Sequence, residues 1–209
     1  MKPHDSIIFD MDGTLWDAVD SYCKVWDKTF MQMGMPETTV SRQDLLECMG
    51  MPIDEIFAHI VTAPIDTKTF LEKLDQNEAI MMPKLGGTLY PGVFDGIKEL
   101  SKSYRLFMVS NCGADGLKNF LAFTQLTPYI EDTLTHGETL LNKTENIKLL
   151  INRHKLTSPI YMGDTQGDCN YAHAANIPMI YASYGFGKCN DAEYTVNSFN
   201  QFVELFLSN

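Results

Sequence analysis

The segment Ser6–Thr14 constrains this chain more than any other stretch, because it joins a buried strand to two carboxylates. Residues 7–9 are apolar and rich in β-branched side chains, which predicts a strand buried on both faces. The apolar run ends at Asp10 and Asp12, and Gly13 follows. Side chains two residues apart in an extended segment lie on the same side of the chain. The two aspartates are therefore predicted to face one site at the carboxyl end of the strand.

An aspartate pair beside a glycine also occurs in ordinary turns and helix caps. Average residue usage, however, would produce the pattern D-x-D-G-T by chance in only about a few chains per thousand of this length. We therefore interpret the pattern as functional. The segment Phe9–Leu15, with the sequence FDMDGTL, resembles the first motif of the haloacid dehalogenase superfamily, in its phosphatase branch. The resemblance implies that Asp10 is a nucleophile that becomes an aspartyl phosphate and that Asp12 is the general acid and base.

Composition and charge exclude several classes of function. The chain has 209 residues, of which 44% are hydrophobic, enough for one core and a small accessory domain. Its net charge of −11 argues against a nucleic acid or an anionic membrane as a partner. A pocket for a phosphate ester must then be locally positive, through a divalent cation, a lysine or backbone amides. The N-terminal sequence MKPHD leads directly into the predicted strand, and the five cysteines form no C-x-x-C pair. We therefore expect no cleaved signal peptide, no disulfide framework, no zinc site and a cytoplasmic location.

The chain is predicted to contain two domains, with the smaller inserted just after the first strand. Apolar spacing predicts helices over residues 17–33, 41–49, 52–60 and 66–82, and residues 84–87 look like a linker back to the main domain. The predicted division is a core of residues 1–15 and 84–209, with a helical cap of residues 16–83.

Strands and helices alternate after residue 84. Besides the first strand, strands are predicted over residues 105–109, 129–135, 159–162, 177–181 and 194–196. Repeated strand-helix units of this length form parallel sheets with helices on both faces. The predicted fold class is therefore α/β, with a Rossmann-like parallel sheet and an inserted all-helical cap.

Two further predicted strand or helix ends carry residues suited to binding phosphate. Ser110 and Asn111 stand between a strand and a helix, where a phosphate meets a hydroxyl and helix N-terminal amides. Lys143 begins a helix after the third strand, and an ammonium group is an apt point charge for phosphate. Taken alone, each is ordinary as a helix cap or an exposed lysine. In chain order they match the second and third motifs of the family, which implies substrate binding by all three residues.

The segment 163–168, GDTQGD, resembles the fourth motif of the family, G-D-x-x-x-D. With Asp10 and Asp12, its aspartates Asp164 and Asp168 would place four like charges at one sheet edge, which requires a cation. Mg²⁺ suits oxygen ligands completed by water and substrate phosphate. The resemblance implies that the ligands are the carboxylates of Asp10 and Asp164 and the backbone carbonyl of Asp12. Asp168 would lie outside this ligand set and orient a water molecule.

Together these motifs resemble the phosphoglycolate phosphatase-like or β-phosphoglucomutase-like branch of the superfamily, and the resemblance implies an enzyme that hydrolyses a small phosphorylated metabolite with Mg²⁺. A sugar phosphomutase remains an alternative, because it shares the cap and both aspartates. A catalytically silent binding protein on the same scaffold is a second alternative. We expect the cap to select the leaving group, and Trp16 and Arg42 are the first candidates for contacts, although packing or solvent exposure is the simpler interpretation of each.

Overall fold

The strand predicted at the start of the chain lies inside a six-stranded parallel sheet in the computed structural model, which describes residues 4–208. These residues form the following strands: β1 (Ser6–Phe9), β2 (Trp16–Asp17), β3 (Thr88–Leu89), β4 (Arg105–Ser110), β5 (Asp132–Thr135), β6 (Pro159–Gly163), β7 (Met179–Ala182) and β8 (Tyr194–Val196). The α-helices in the same residues are α1 (Val19–Gln32), α2 (Arg42–Leu46), α3 (Ile53–Ile60), α4 (Thr67–Leu85), α5 (Val93–Leu100), α6 (Gly116–Thr124), α7 (His136–Thr139), α8 (Lys143–His154), α9 (Gln166–Ala174) and α10 (Phe199–Leu207).

The register of the parallel sheet brings three strand ends to one edge. The strand order is β5-β4-β1-β6-β7-β8, and Phe9 of β1 pairs with Met108 of β4 and with Met162 of β6. The chain therefore leaves β1, β4 and β6 at the same edge of the sheet, within two residues of these positions. The predicted α/β fold with a parallel sheet is confirmed.

Alternation along β1 explains why this strand is buried on both faces. Ile7 and Phe9 belong to one apolar cluster, and Ile8 belongs to a second cluster on the opposite face of the sheet. Phe9 packs edge-on against Phe202 of α10, with ring centroids 5.7 Å apart. Burial of each such side chain contributes about 1.5–3 kcal/mol, so β1 is held by packing from both sides.

Along the chain, helices α1 to α4 come between the two strands of a small antiparallel ribbon. Trp16 of β2 pairs with Leu89 of β3, and the four helices are the chain between them. Helices α1 and α4 pack against each other around aromatic side chains, and the rings of Phe30 and Phe70 are 5.0 Å apart. The ribbon was not predicted, because a strand of two residues carries no periodic signal.

Several predicted boundaries were wrong at helix and strand ends. The fourth helix was predicted to end at residue 82, but α4 continues through Pro83 to Leu85. Gly86, with a φ of +57°, ends it, so the predicted linker at 84–87 is half helical. A proline usually stops a helix at the preceding residue, which explains the error. The helix predicted over 41–49 is only Arg42–Leu46, because it is followed by turns that lead to Gly50.

The third strand also begins later than predicted, since Thr127–Tyr129 form a 3-10 turn around Pro128 and β5 starts at Asp132. Helix α7 was missed, although its capping box of Thr135 and Glu138 is a readable sequence signal. A search of the described residues finds no helix long and apolar enough to cross a membrane.

Candidate active site

The turn after β1 holds Asp10 and Asp12 at the edge of the sheet. The Asp10 backbone N–H donates to the Met162 carbonyl at 2.9 Å, which extends the pairing of β1 and β6 by one residue. Gly13 follows with a φ of +80°, and a Cβ on this residue would lie only 2.2 Å from Asp164 Oδ2. Glycine is therefore required here both by its backbone conformation and by the close approach of the Asp164 carboxylate.

Lys143 joins two of the predicted site residues through its ammonium group. It is the first residue of α8, which Asn142 caps by accepting a hydrogen bond from the Glu145 backbone N–H. The buried Lys143 Nζ donates to Asp10 Oδ1 at 2.7 Å and to Asp168 Oδ1 at 2.8 Å. Burial alone would lower the pKa of Lys143, but the charges of Asp10 and Asp168 raise it well above its usual value. Lys143 is therefore a fixed cation in this site.

Asp168 has both carboxylate oxygens engaged by neighbouring side chains. Its Oδ1 accepts from Lys143, and its Oδ2 accepts from Thr165 Oγ1 at 2.7 Å, within the capping box of α9. Burial would raise the pKa of Asp168, but Lys143 and the hydrogen bonds from Thr165 lower it. Asp168 therefore stays ionised and fixes the position of the Lys143 ammonium group.

The carboxylates of Asp10, Asp164 and Asp168 come close enough to hold a metal ion. One oxygen from each lies within 4.8 Å of the others. Asp164 Oδ2 accepts from the Phe186 backbone N–H at 2.7 Å, which fixes its side chain. Burial, followed by the charges of Asp168 and Asp10, raises the pKa of Asp164 well above its usual value. These oxygen donors repel one another in a buried site, so they fit a hard divalent cation that would relieve the repulsion.

Asp12 is held by two aromatic side chains. Trp16 Nε1 donates to Asp12 Oδ1 at 2.9 Å, and Tyr22 Oη donates to the same oxygen at 3.2 Å. Burial and the charge of Asp10 raise the pKa of Asp12 to about 7, and the two hydrogen bonds oppose this shift. A carboxyl group with a pKa near neutrality is suited to donate and then accept a proton. The pKa of Asp10, raised by burial and then by Asp168 against the opposing charge of Lys143, is about 6.

Ser110 and Asn111 face the same cavity as Asp10, Asp12 and Lys143. Ser110 is the last residue of β4, and its Oγ accepts from the Cys112 backbone N–H at 3.3 Å. Asn111 Nδ2 donates to the Gly50 carbonyl at 2.8 Å, so its side chain connects the sheet edge to the loop before α3. The structure thus brings the predicted substrate-binding residues together, with one Asn111 donor already used.

Trp16 and Arg42, the two residues named from the sequence as candidate substrate contacts, have different surroundings. Trp16 is buried and lines the cavity, but its indole N–H is used by Asp12. Arg42 is not among the cavity-lining residues and forms ion pairs with Asp17 and Asp20. Tyr22 was missed as a site residue, because its place in the apolar stripe of α1 does not distinguish it from a core aromatic.

Comparison with known proteins assigns the family. The model of the haloacid dehalogenase-like hydrolases matches residues 7–182, which include all four motifs. The chain belongs to this hydrolase family. A phosphoglycolate phosphatase from Aliivibrio fischeri is 28% identical over 195 residues, covering 86% of this chain and 84% of the relative. A pyrophosphatase, PpaX, from Listeria monocytogenes is 27% identical over 130 residues, covering 60% of this chain and 57% of the relative.

A solved structure from Haemophilus somnus, named a predicted phosphoglycolate phosphatase, has the same fold as this haloacid dehalogenase-like hydrolase. It superposes with a TM-score of 0.84 at 17% identity, covering 98% of this chain and 99% of that one. The predicted family and the predicted enzyme class, a hydrolase, are thereby confirmed.

Proposed function

We propose that this hydrolase is a Mg²⁺-dependent phosphatase that cleaves a small phosphate monoester through an aspartyl phosphate on Asp10. The observation that carries the proposal is the convergence of Asp10, Asp12, Ser110 and Lys143 on one cavity of about 150 Å³. The phosphatase and pyrophosphatase names of the relatives support the same class of reaction.

In the proposed reaction, the phosphate of the substrate lies against Ser110 Oγ and Lys143 Nζ. Asp10 attacks phosphorus in line with the leaving oxygen, and Asp12 gives its proton to that oxygen. Asp12, now ionised, removes a proton from the water that hydrolyses the aspartyl phosphate. Lys143 holds Asp10 through the hydrogen bond at 2.7 Å, and Asp168 in turn holds Lys143. The protein thus contributes positioning and charge compensation, on which phosphoryl transfer mainly depends.

We assign the metal ligands to the carboxylates of Asp10 and Asp164 and to the backbone carbonyl of Asp12. Asp168 is left as a positioning residue, because Lys143 and Thr165 already occupy its oxygens. When bound, Mg²⁺ would act as a Lewis acid and reduce the repulsion between Asp10 and the phosphate.

We further propose that residues 16–83 act as a cap on a core of residues 1–15 and 84–209. The ribbon of β2 and β3 ties both ends of the cap to the sheet edge beside Asp12, which supports hinged closure over the site. Met1–Pro3 and Asn209, which the predicted core includes, lie outside the described residues. The cytoplasmic location stays a prediction.

Phosphate release from a panel of phosphate monoesters tests the proposed function. We expect turnover of at least one ester with Mg²⁺ and loss of turnover when the metal is removed by chelation, because three carboxylates then repel the phosphate. Replacing Mg²⁺ with Ca²⁺ should inhibit phosphate release, since Ca²⁺ takes more ligands at longer distances and loosens the in-line geometry. Full activity in excess chelator would contradict the metal site, and no release from any ester would overturn the phosphatase proposal.

The hydrogen bond from Tyr22 to Asp12 provides a test of the acid and base role. Tyr22→Phe should lower kcat about tenfold, because a hydrogen bond to a charged group is lost. Both aromatic donors lower the pKa of Asp12, so removing one raises that pKa. The limb of the pH–rate profile that follows Asp12 should therefore move to higher pH.

Tyr104→Phe is the matched control, because it removes a hydroxyl that donates at 3.0 Å to the Phe206 carbonyl, away from the candidate site. It should leave both kcat and the pH–rate profile within about twofold of the native protein. An unshifted profile in Tyr22→Phe would exclude Asp12 as the group that titrates.

A further inference from the structure

The cavity that contains Asp10 and Lys143 extends between the sheet edge and α4. Apolar side chains, among them Met49, Met51, Leu71 and Leu74, line much of this extension. A phosphate bound at Ser110 and Lys143 would direct its leaving group into this space. The residues of the extension therefore determine which leaving groups are accepted.

Two carboxylates interrupt the apolar lining of the extension. Asp75 and Glu78 are one helical turn apart on α4, and both line the cavity. They converge on the loop after β4: a Cβ built on Gly113 would lie 3.3 Å from Asp75 Oδ1 and 3.6 Å from Glu78 Oε2. Since Gly113 comes three residues after Ser110, these carboxylates stand close to the place where the ester would bind.

Neither carboxylate is compensated by the protein. Asp75 and Glu78 form no ion pair with any residue between 4 and 208, and no hydrogen bond to either side chain is found in that part of the chain. Burial, followed by the charges of Asp75 and Asp12, raises the pKa of Glu78 to about 8. A carboxyl group shifts upward in this way where no cation stabilises its charge.

The cavity offers no second cation for an acidic leaving group. Of its described lining residues, Lys143 alone has a cationic side chain, and that ammonium already binds Asp10 and Asp168. A third lining carboxylate, Asp115, is within 3.6 Å of Lys118, which does not line the cavity. An anionic leaving group would therefore approach two carboxyl groups that have no cation beside them: Asp75, which is exposed, and Glu78, whose raised pKa shows that a negative charge is unfavourable at its position.

We propose that the substrate is a phosphate monoester whose leaving group carries a protonated amine, which Asp75 and Glu78 bind. This inference rests on the proposed phosphatase function. An ammonium group would supply the compensating charge that both carboxylates lack, and the apolar lining would strengthen the interaction. The same two side chains exclude a carboxylate or a second phosphate. The substrate class therefore differs from phosphoglycolate, the acid for which several relatives are named.

Three esters of similar size separate the contribution of charge. The probes are O-phosphoethanolamine, its neutral counterpart propyl phosphate, and the acidic 2-phosphoglycolate, each assayed with the native protein and Mg²⁺. We expect kcat/KM to be about tenfold higher for phosphoethanolamine than for propyl phosphate, and about a hundredfold higher than for phosphoglycolate. Equal or greater kcat/KM for phosphoglycolate would overturn the inference and leave the phosphatase proposal intact. No hydrolysis of any of the three esters would overturn the inference. If the wider ester panel also gave no hydrolysis, the phosphatase proposal would be overturned as well.

Glu78→Gln and Asp75→Asn test the two carboxylates without changing side-chain size. Each should lower kcat/KM for phosphoethanolamine about tenfold, raise it for phosphoglycolate, and leave propyl phosphate within about twofold. Glu72→Gln is the matched control, because Glu72 lies on the same helix but is exposed and close to Lys68. It should leave the ranking of the three esters unchanged. A uniform loss on all three esters in Glu78→Gln would overturn the assignment of an amine site.

Binding can also be measured apart from turnover. Titration calorimetry with the Asp10→Asn protein should give a lower Kd for phosphoethanolamine than for phosphoglycolate. Adding Glu78→Gln should reduce the ratio of the two Kd values about tenfold. An unchanged difference in Kd would contradict the role of Glu78.

Discussion

Replacing Asp10 with asparagine is expected to lower kcat by about 10⁴-fold or more on every ester that the protein hydrolyses. The amide has nearly the shape of the carboxylate but lacks the anionic oxygen that would attack phosphorus. Asp10 is buried just after β1 and faces the cavity, so the asparagine amide would occupy the place of the carboxylate without acting as a nucleophile. Phosphate release measured at saturating ester and Mg²⁺ checks the expected loss.

Asp95→Asn is the control for this experiment, since Asp95 is exposed on α5 and should keep full activity. Lys143 keeps its bond to Asp168 in Asp10→Asn, so we expect the variant to fold. Its unfolding temperature shows whether a loss of activity comes from the chemistry or from a folding defect. Turnover of Asp10→Asn within about tenfold of the native rate would contradict a covalent mechanism.

Lys143→Met is expected to lower both stability and activity. It leaves the buried carboxylates of Asp10 and Asp168 without their shared cation, and breaking such a buried pair costs about 3–5 kcal/mol. Urea unfolding measures the stability change, and phosphate release should fall for all esters alike, since Lys143 faces the group that they share.

The stability loss in Lys143→Met should grow with pH. In the native protein, Lys143 lowers the pKa of Asp168, so this interaction stabilises the fold above the unfolded pKa of about 4. Without Lys143, burial raises the pKa of Asp168 and raises that of Asp10 further, so the folded state binds more protons than the unfolded state. The stability of the variant therefore falls as the pH rises. The difference in the free energy of unfolding should thus be smaller at pH 5 than at pH 8.

Lys148→Met serves as the control on the same helix, because Lys148 is half exposed and pairs with Glu145 at the surface. Its effect should stay below about 1 kcal/mol at both pH values. A loss in Lys143→Met that is equally small would mean that Lys143 does not hold the site together.

The sequence was sufficient to predict the sheet, because strands buried on both faces are continuous apolar runs. Residues 7–9 and 159–162 carry this signal and lie in neighbouring parallel strands. Boundaries were less predictable where local rules compete with tertiary contacts. Pro83 marks a helix end by its chemistry, yet α4 continues to Gly86, where the ring of Phe123 packs against the glycine.

The positions of Asp10, Ser110 and Asp164 follow from the rule that parallel strands end at one edge. Lys143 begins α8, several residues beyond β5, and was predicted from its match to the family's third motif. The proximity of these residues was therefore predictable, although their chemical roles remain predictions. The hydrogen bonds that hold these residues could not be predicted from the sequence. The bond from Tyr22 to Asp12, for example, depends on how α1 is oriented over the site. Asp75 and Glu78 look like ordinary exposed helix residues in the sequence, and only the packing of α4 brings them to the cavity.

The covalent role of Asp10 is tested most directly with the Asp12→Asn variant and p-nitrophenyl phosphate. This leaving group departs without a proton, so Asp10 can still be phosphorylated, whereas hydrolysis of the aspartyl phosphate needs the base that the variant lacks. We predict a burst of one p-nitrophenol per protein molecule, then a stall, with one phosphoryl group on the peptide that contains Asp10 by mass spectrometry. Steady turnover at the native rate without a burst, or a phosphoryl group on a different residue, would contradict the proposed mechanism.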